Sequence, residues 1–138
     1  MQVFERLEND LYTIIKTKVK KAMSSKYPDI SFSNEPSDTD PSFPNVYITQ
    51  KHREAGQDIE GSSINAVRVF IDITVSTNTS KIDASKVGWA CTNALKSLRF
   101  DTSDGLPELE FKKQNNDRIY VCKVRGQRLI GSGDLLQI

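Results

Sequence analysis

A chain of 138 residues with 19 Lys plus Arg against 18 Asp plus Glu carries a formal net charge of +1. That length fits one compact domain, which buries roughly two-thirds of the surface its unfolded form exposes and so needs no metal or disulfide to fold. The near-neutral balance argues against a bulk electrostatic grip on nucleic acid, although a local basic patch remains compatible with it.

The first periodic block covers residues 2–25. Val3, Phe4, Leu7, Leu11, Ile14, Ile15, Val19, Ala22 and Met23 recur at three- and four-residue steps, which predicts a helix with one buried stripe. Glu5, Glu8 and Asp10 lead it and Lys16, Lys18, Lys20 and Lys21 close it, in the sense that complements the helix dipole. Those lysines read as a solvated helix end or as a patch for phosphate or acidic groups. Tyr27-Pro28 stops the helix. The stretch "NEPSDTDPSFP" (34–44) has no periodicity and predicts a loop. "NVYITQKH" (45–52) alternates and predicts a strand, separated by the polar "REAGQDIEGSS" (53–63) from a longer strand beginning near Asn65. Together they predict a hairpin with an extended tip.

In that longer strand Val67, Val69, Ile71, Ile73 and Val75 share one face, while Arg68, Phe70, Asp72, Thr74 and Ser76 share the other. Period two over nine residues places one face against a core. Ser80-x-x-Asp83 resembles a capping box and opens a second helix with the stripe Ala84, Val87, Ala90, Cys91, Ala94, Leu95 and Leu98. After "DTSDGLP", the segments "ELEFKK" and "RIYVCKVRGQRLI", joined by "QNND", predict a second hairpin. "GSGDLLQI" reads as a glycine-hinged tail. The element order α-β-β-α-β-β predicts an α+β domain over residues 1–131, with residues 132–138 as the tail. Its sheet should be mostly antiparallel with both helices packed on one face.

Little catalytic chemistry is visible. His52 is the sole histidine, flanked by Lys51 and Arg53 with no nucleophile motif nearby, so it reads as a surface residue. Cys91 and Cys122 are far apart, without a CxxC or His companion, and read as free buried thiols in a reducing compartment. No glycine-rich phosphate loop or zinc spacing occurs, and no apolar run is long enough for a signal region or a membrane span. One enzymatic alternative is a metal-dependent nuclease using Asp104, Glu110 and Lys112, whose carboxylates would hold a divalent ion while the lysine helps activate water. Glu108, Glu110 and Lys112 also share one face of a strand with Leu109 and Phe111 on the other, the pattern of a solvated strand face.

Two surfaces point to partners instead. At about 100° per residue, Trp89 and Ile82 lie on the side of the second helix opposite its apolar stripe. An outward tryptophan there is either an interface anchor or is covered by a loop or the first helix. In the last strand Tyr120, Cys122 and Val124 alternate with Ile119, Val121, Lys123 and Arg125, and Arg128 follows. The second set turns basic and is either a strand emerging into solvent or a face for an acidic neighbour or passing DNA.

A leading helix, "PNVYITQ", a polar loop with Glu60, "AVRVFIDITVSTN", "KIDASKVGWACTNALKSLRF" and the closing "NDRIYVCKVRGQRLIG" together resemble the tail terminator proteins of long-tailed bacteriophages, also called tail completion or neck proteins. The likeness lies in layout and residue classes over residues 1–131 and weakens in the 34–44 loop and the final tail. It implies a non-enzymatic subunit, without cofactor or metal, that assembles with copies of itself into a ring, usually six-fold. Such a ring sits on the tail tube protein, ends tube growth, and presents a surface to a head-completion or neck protein. Genomic DNA would pass through it without sequence-specific contact, and no membrane would be involved. The expected location is the virion tail or neck, after synthesis in the host bacterial cytoplasm. A head-tail joining component of similar fold is the alternative. A closed ring needs two different lateral surfaces. The residues expected to supply contacts are Ile82 and Trp89, the hairpin tip Gln57, Asp58, Ile59 and Glu60, and the tail residues Leu135, Leu136 and Ile138. Lys123, Arg125 and Arg128 are expected to form the basic sheet face.

Overall fold

The alternating strand is the centre of the fold. In the computed structural model, which describes residues 6–35, 42–57, 64–102, 107–114 and 117–131, it runs as β3 (Ile64–Thr77) between β2 (Asn45–Gln57) and β5 (Asp117–Gly131). A short β1 (Ser31–Ser33) lies outside β2, and β4 (Glu108–Gln114) lies outside β5. The sheet order is β1-β2-β3-β5-β4, antiparallel at every pairing except β1 with β2. Helices α1 (Leu7–Met23) and α2 (Lys81–Ser97) complete an α+β fold of the expected class, with one short strand added.

Register explains why one face is the core. Val46 pairs with Val75 and Ile48 with Ile73, while Val75 pairs with Cys122 and Ile73 with Val124. These rows are almost wholly buried and pack with Leu11, Ile15 and Val19 of α1 and with Ala84, Val87, Cys91 and Leu95 of α2. Each large side chain of that set contributes about 1.5–3 kcal/mol through burial. The predicted stripes therefore hold in outline. Ala22 is exposed and Ala90 half-buried, because both border the gap between the two helices rather than the sheet.

Two boundaries differ from expectation. Strand β2 continues through Arg53 and Glu54, paired with Arg68 and Val67, to an irregular register at Gly56 and Gln57. Polar side chains do not end a strand whose backbone ladder is satisfied, and the Arg53 guanidinium lies 5.4 Å from the Phe70 ring centroid on the outer face. The added β1 comes from "SFS", too short to show a period. Its Ser31 donates to the Ser42 carbonyl at 2.7 Å, and the Ser31 amide bonds the Pro44 carbonyl at 2.9 Å.

The ends of α2 are well specified. Ser80 Oγ accepts from the Asp83 amide at 3.1 Å, the expected N-cap. At the other end Arg99 adopts φ 66°, and the Phe100 amide bonds the Leu95 carbonyl while the Arg99 amide bonds that of Lys96. That is a Schellman ending with arginine in the position glycine usually takes.

Candidate functional site

Trp89 and Ile82 are outward as expected, 44% and 65% exposed. The phase of α2 dictates this. Its core side is fixed by Ala84, Val87, Cys91 and Leu95, which leaves position 89 on the far side and position 82 two turns earlier on the same side. Among the described residues neither a loop nor α1 covers the indole. Trp89 instead stands at the edge of a groove of about 530 Å³ between α1 and α2. The groove's floor is Ala22, Met23, Ala90 and Ala94, and three lysines, Lys18, Lys26 and Lys86, line it. The Lys26 ammonium is depressed by its side-chain contact with Lys86 and by the charge of that lysine. Asp83, at the head of the groove, is already engaged: it accepts from Tyr27 Oη at 2.7 Å and from Thr79 Oγ1 at 2.5 Å. Those two bonds hold its carboxyl below the usual range.

The sheet face turned away from the helices carries two ion pairs among the described residues. Arg125 Nε lies 3.1 Å from Asp72 Oδ1, and Lys123 Nζ lies 3.4 Å from Glu110 Oε1. All four groups are substantially exposed, so each pair is worth little energetically, yet each cation has an acid beside it. Lys51, Arg53, Phe70, Asp72 and Arg125 surround a depression of about 350 Å³ on this face. Arg128 does not belong with Lys123 and Arg125. Strand alternation puts it on the helix side, where Nη1 donates to the Leu98 carbonyl at 2.7 Å and satisfies the C-terminal end of α2. The expected three-residue basic face is thus two residues, each with an acidic neighbour.

A third surface went unforeseen. Leu109 and Phe111 are 44% and 53% exposed, with the Phe111 ring tilted against Tyr120 at 5.5 Å between centroids. Alternation turns them to the helix side, but β4 is the last strand of the sheet and lies beyond the cover of the helices. Edge position is a property of sheet order, which the sequence does not print.

Of the other expected contacts, Gln57 lies in β2, paired with Ile64. Asp58, Ile59, Glu60, Leu135, Leu136 and Ile138 fall outside the described residues. Of the nuclease set, Asp104 also falls outside, Glu110 faces Lys123, and Lys112 pairs through its backbone with Ile119. Among the described residues no three His, Cys, Asp or Glu side chains converge as a metal site. His52 is half-buried rather than a plain surface residue. It lies on the helix side of β2 with Nε2 3.0 Å from Gln50 Oε1, and burial lowers its pKa. Cys91 and Cys122 are free and buried, as expected. No helix is long and apolar enough to cross a membrane among the described residues.

No protein-family model matches the sequence, and no curated protein matches it. One solved structure with some likeness is the catalytic domain of the histidine kinase ThkA in a nucleotide-free form. It is 9% identical, with 84% of this chain and 91% of that chain covered at a TM-score of 0.22. A likeness so slight carries no conclusion about this chain.

Proposed function

We propose that this protein is a bacteriophage tail terminator: copies assemble into a ring, six-fold as in the proteins its sequence resembles, that caps the tail tube. The ring ends tube polymerisation and gives the neck or head-completion protein its attachment surface. It acts in the virion, made of copies of this chain and seated on tube protein, with the genome passing through. The role requires binding surfaces and no reaction.

The observation that supports it beyond the sequence resemblance is the placement of large apolar side chains on two unlike surfaces. Trp89 and Ile82 stand on the outer side of α2, and Leu109 and Phe111 stand on the edge strand β4. A closed cyclic ring is built from unlike lateral surfaces, and exposed aromatic residues are favoured as contact anchors. Isologous dimerisation would need only one such surface.

Tail length by electron microscopy tests the proposal, in tail assembly with and without this protein. Tubes that overgrow in its absence and stop at uniform length in its presence are the expected result. Tails of normal length that fail to join heads would reassign the protein to the neck, and tails unaffected in both respects would refute the proposal.

A further inference from the structure

The α1–α2 groove joins an apolar floor to an excess of positive charge. Lys18, Lys26 and Lys86 line it, no carboxylate does so among the described residues, and Trp89 stands at its rim. Lys26 and Lys86 sit side by side as like charges, and Asp83, a carboxylate whose charge reaches both, is also engaged by Tyr27, Thr79 and the start of α2. Like charges held together over an apolar surface favour an occupant that brings carboxylates around an apolar side chain.

The chain contains such a segment. Asp58-Ile59-Glu60, in the connection between β2 and β3, sets two carboxylates about an isoleucine. The similar Glu108-Leu109-Glu110 lies in β4, where alternation sends the leucine and the carboxylates to opposite faces. Strand β3 from Ile64 to Thr77 spans roughly 40 Å at about 3.3 Å per residue. Gln57 and Ile64, paired with each other on either side of Asp58-Ile59-Glu60 in sequence, are at one end of that span, whereas α2 begins just past the other, where Tyr27 meets Asp83 beside Lys26.

We infer that the α1–α2 groove receives Asp58-Ile59-Glu60 of a second copy, with Ile59 on the apolar floor beside Trp89 and the two carboxylates among Lys18, Lys26 and Lys86. The contact joins one end of a subunit to the helical side of the next, a head-to-tail arrangement that closes into a ring or continues as a helix. It deepens the proposed function by naming the segment and its receptor, and it rests on that reading for closure into a ring.

Trp89 is the single tryptophan, so its emission reports on this groove alone. The experiment follows the full chain through a dilution series by sedimentation velocity and tryptophan emission. Association should shift the emission to the blue. Lys26→Glu with Lys86→Glu should weaken association roughly a hundredfold, because like-charge juxtaposition replaces attraction. Asp58→Lys with Glu60→Lys should do the same, and a chain carrying all four changes should associate again. Lys26 and Lys86 are exposed, so an unchanged circular dichroism spectrum is expected for the reversals.

Either pair of reversals leaving association intact would overturn the inference, as would a four-change chain that does not recover. A wild-type chain that stays monomeric at its highest soluble concentration would overturn it too. An emission shift produced by inorganic phosphate or a single-stranded oligonucleotide, with no change in mass, would reassign the groove to phosphate. If the Lys26/Lys86 reversal still ends tubes at uniform length, the groove inference fails while the terminator reading stands. If the reversals and rescue behave as expected but tail length does not depend on the protein, the outcome is the opposite.

Discussion

Gly88→Ala should destabilise this protein although the same change stabilises most helices. Alanine is favoured over glycine by about 1 kcal/mol in a helix interior. Gly88 is buried where α2 crosses β5, however, and a Cβ there would fall inside the contact distance of Cys122 Sγ, at 3.3 Å from Cys122 Cβ and 3.8 Å from Pro107 Cβ. Cys122 and Cys91 are wholly buried in the same core, so the sulfur can yield only by displacing packed neighbours. Overpacking of this kind costs about 1–3 kcal/mol. The balance is a loss of up to about 2 kcal/mol. Cys122→Ala removes the sulfur and leaves the Cβ as the tighter neighbour, so Gly88→Ala added to it should cost far less than in the wild type. Urea unfolding of the four chains in this cycle measures the difference, expected as a coupling of about 1–2 kcal/mol. A Gly88→Ala chain about 1 kcal/mol more stable than wild type would refute the reasoning, because it would mean that α2 does not approach β5 so closely.

Stability should respond to pH at both extremes through Tyr27 and Asp83. Burial, then the hydrogen bond to Asp83, pushes the Tyr27 phenol up to about 12 from 10.0. Its stabilising share is therefore complete below pH 10 and disappears as the pH rises toward about 12. Hydrogen bonds from Thr79 and Tyr27 lower Asp83 from 3.8, so its share is present above that value and is lost as the pH falls through the lower folded value. Tyr27→Phe should reduce the alkaline loss, leaving the share of Tyr12 and the two buried thiols, and soften the acidic one in urea midpoints, and unchanged limbs would refute the assignment. The two thiols should be silent in the native state. Burial raises both, Cys122 to about 11, and leaves no path for reagent. Labelling by a thiol reagent at neutral pH should track global unfolding, and labelling at the rate of a free thiol would contradict the packing.

The sequence exposes those parts of the fold that repeat. Val67 to Val75 alternate without exception, and the capping serine before α2 has the spacing its backbone requires, so β3 and α2 could be placed within a residue or two. Arg53 and Glu54 hid the continuation of β2, because a ladder held by backbone groups leaves no apolar signature. Ser31 to Ser33 were too few to show a period. The surfaces were legible where helical phase decided them, as at Trp89 and Ile82. They were illegible where sheet order decided them: Leu109 and Phe111 take the face opposite Glu108 and Glu110, and only the sheet order makes β4 an edge that leaves them exposed. Arg128 illustrates the same limit, since grouping it with Lys123 and Arg125 followed proximity in sequence, while alternation along β5 sends it to the carbonyl of Leu98.

The distribution of paired charge decides which surface has free energy left for an acidic partner. On the outer sheet face Arg125 already has Asp72, Lys123 has Glu110 and Arg53 has the Phe70 ring. An acidic partner arriving there must displace or share partners, so its gain is a difference between similar interactions and is small. In the α1–α2 groove Lys26 and Lys86 are neighbours, and Lys86 disfavours the Lys26 charge more than nearby Asp83 favours it. A carboxylate arriving there relieves repulsion and gains attraction together, beside an apolar floor that association would remove from water. Salt should separate the two cases, because screening weakens the groove's attraction while leaving apolar burial intact. The groove, rather than the more conspicuous basic strand face, is therefore where an acidic partner has most to gain.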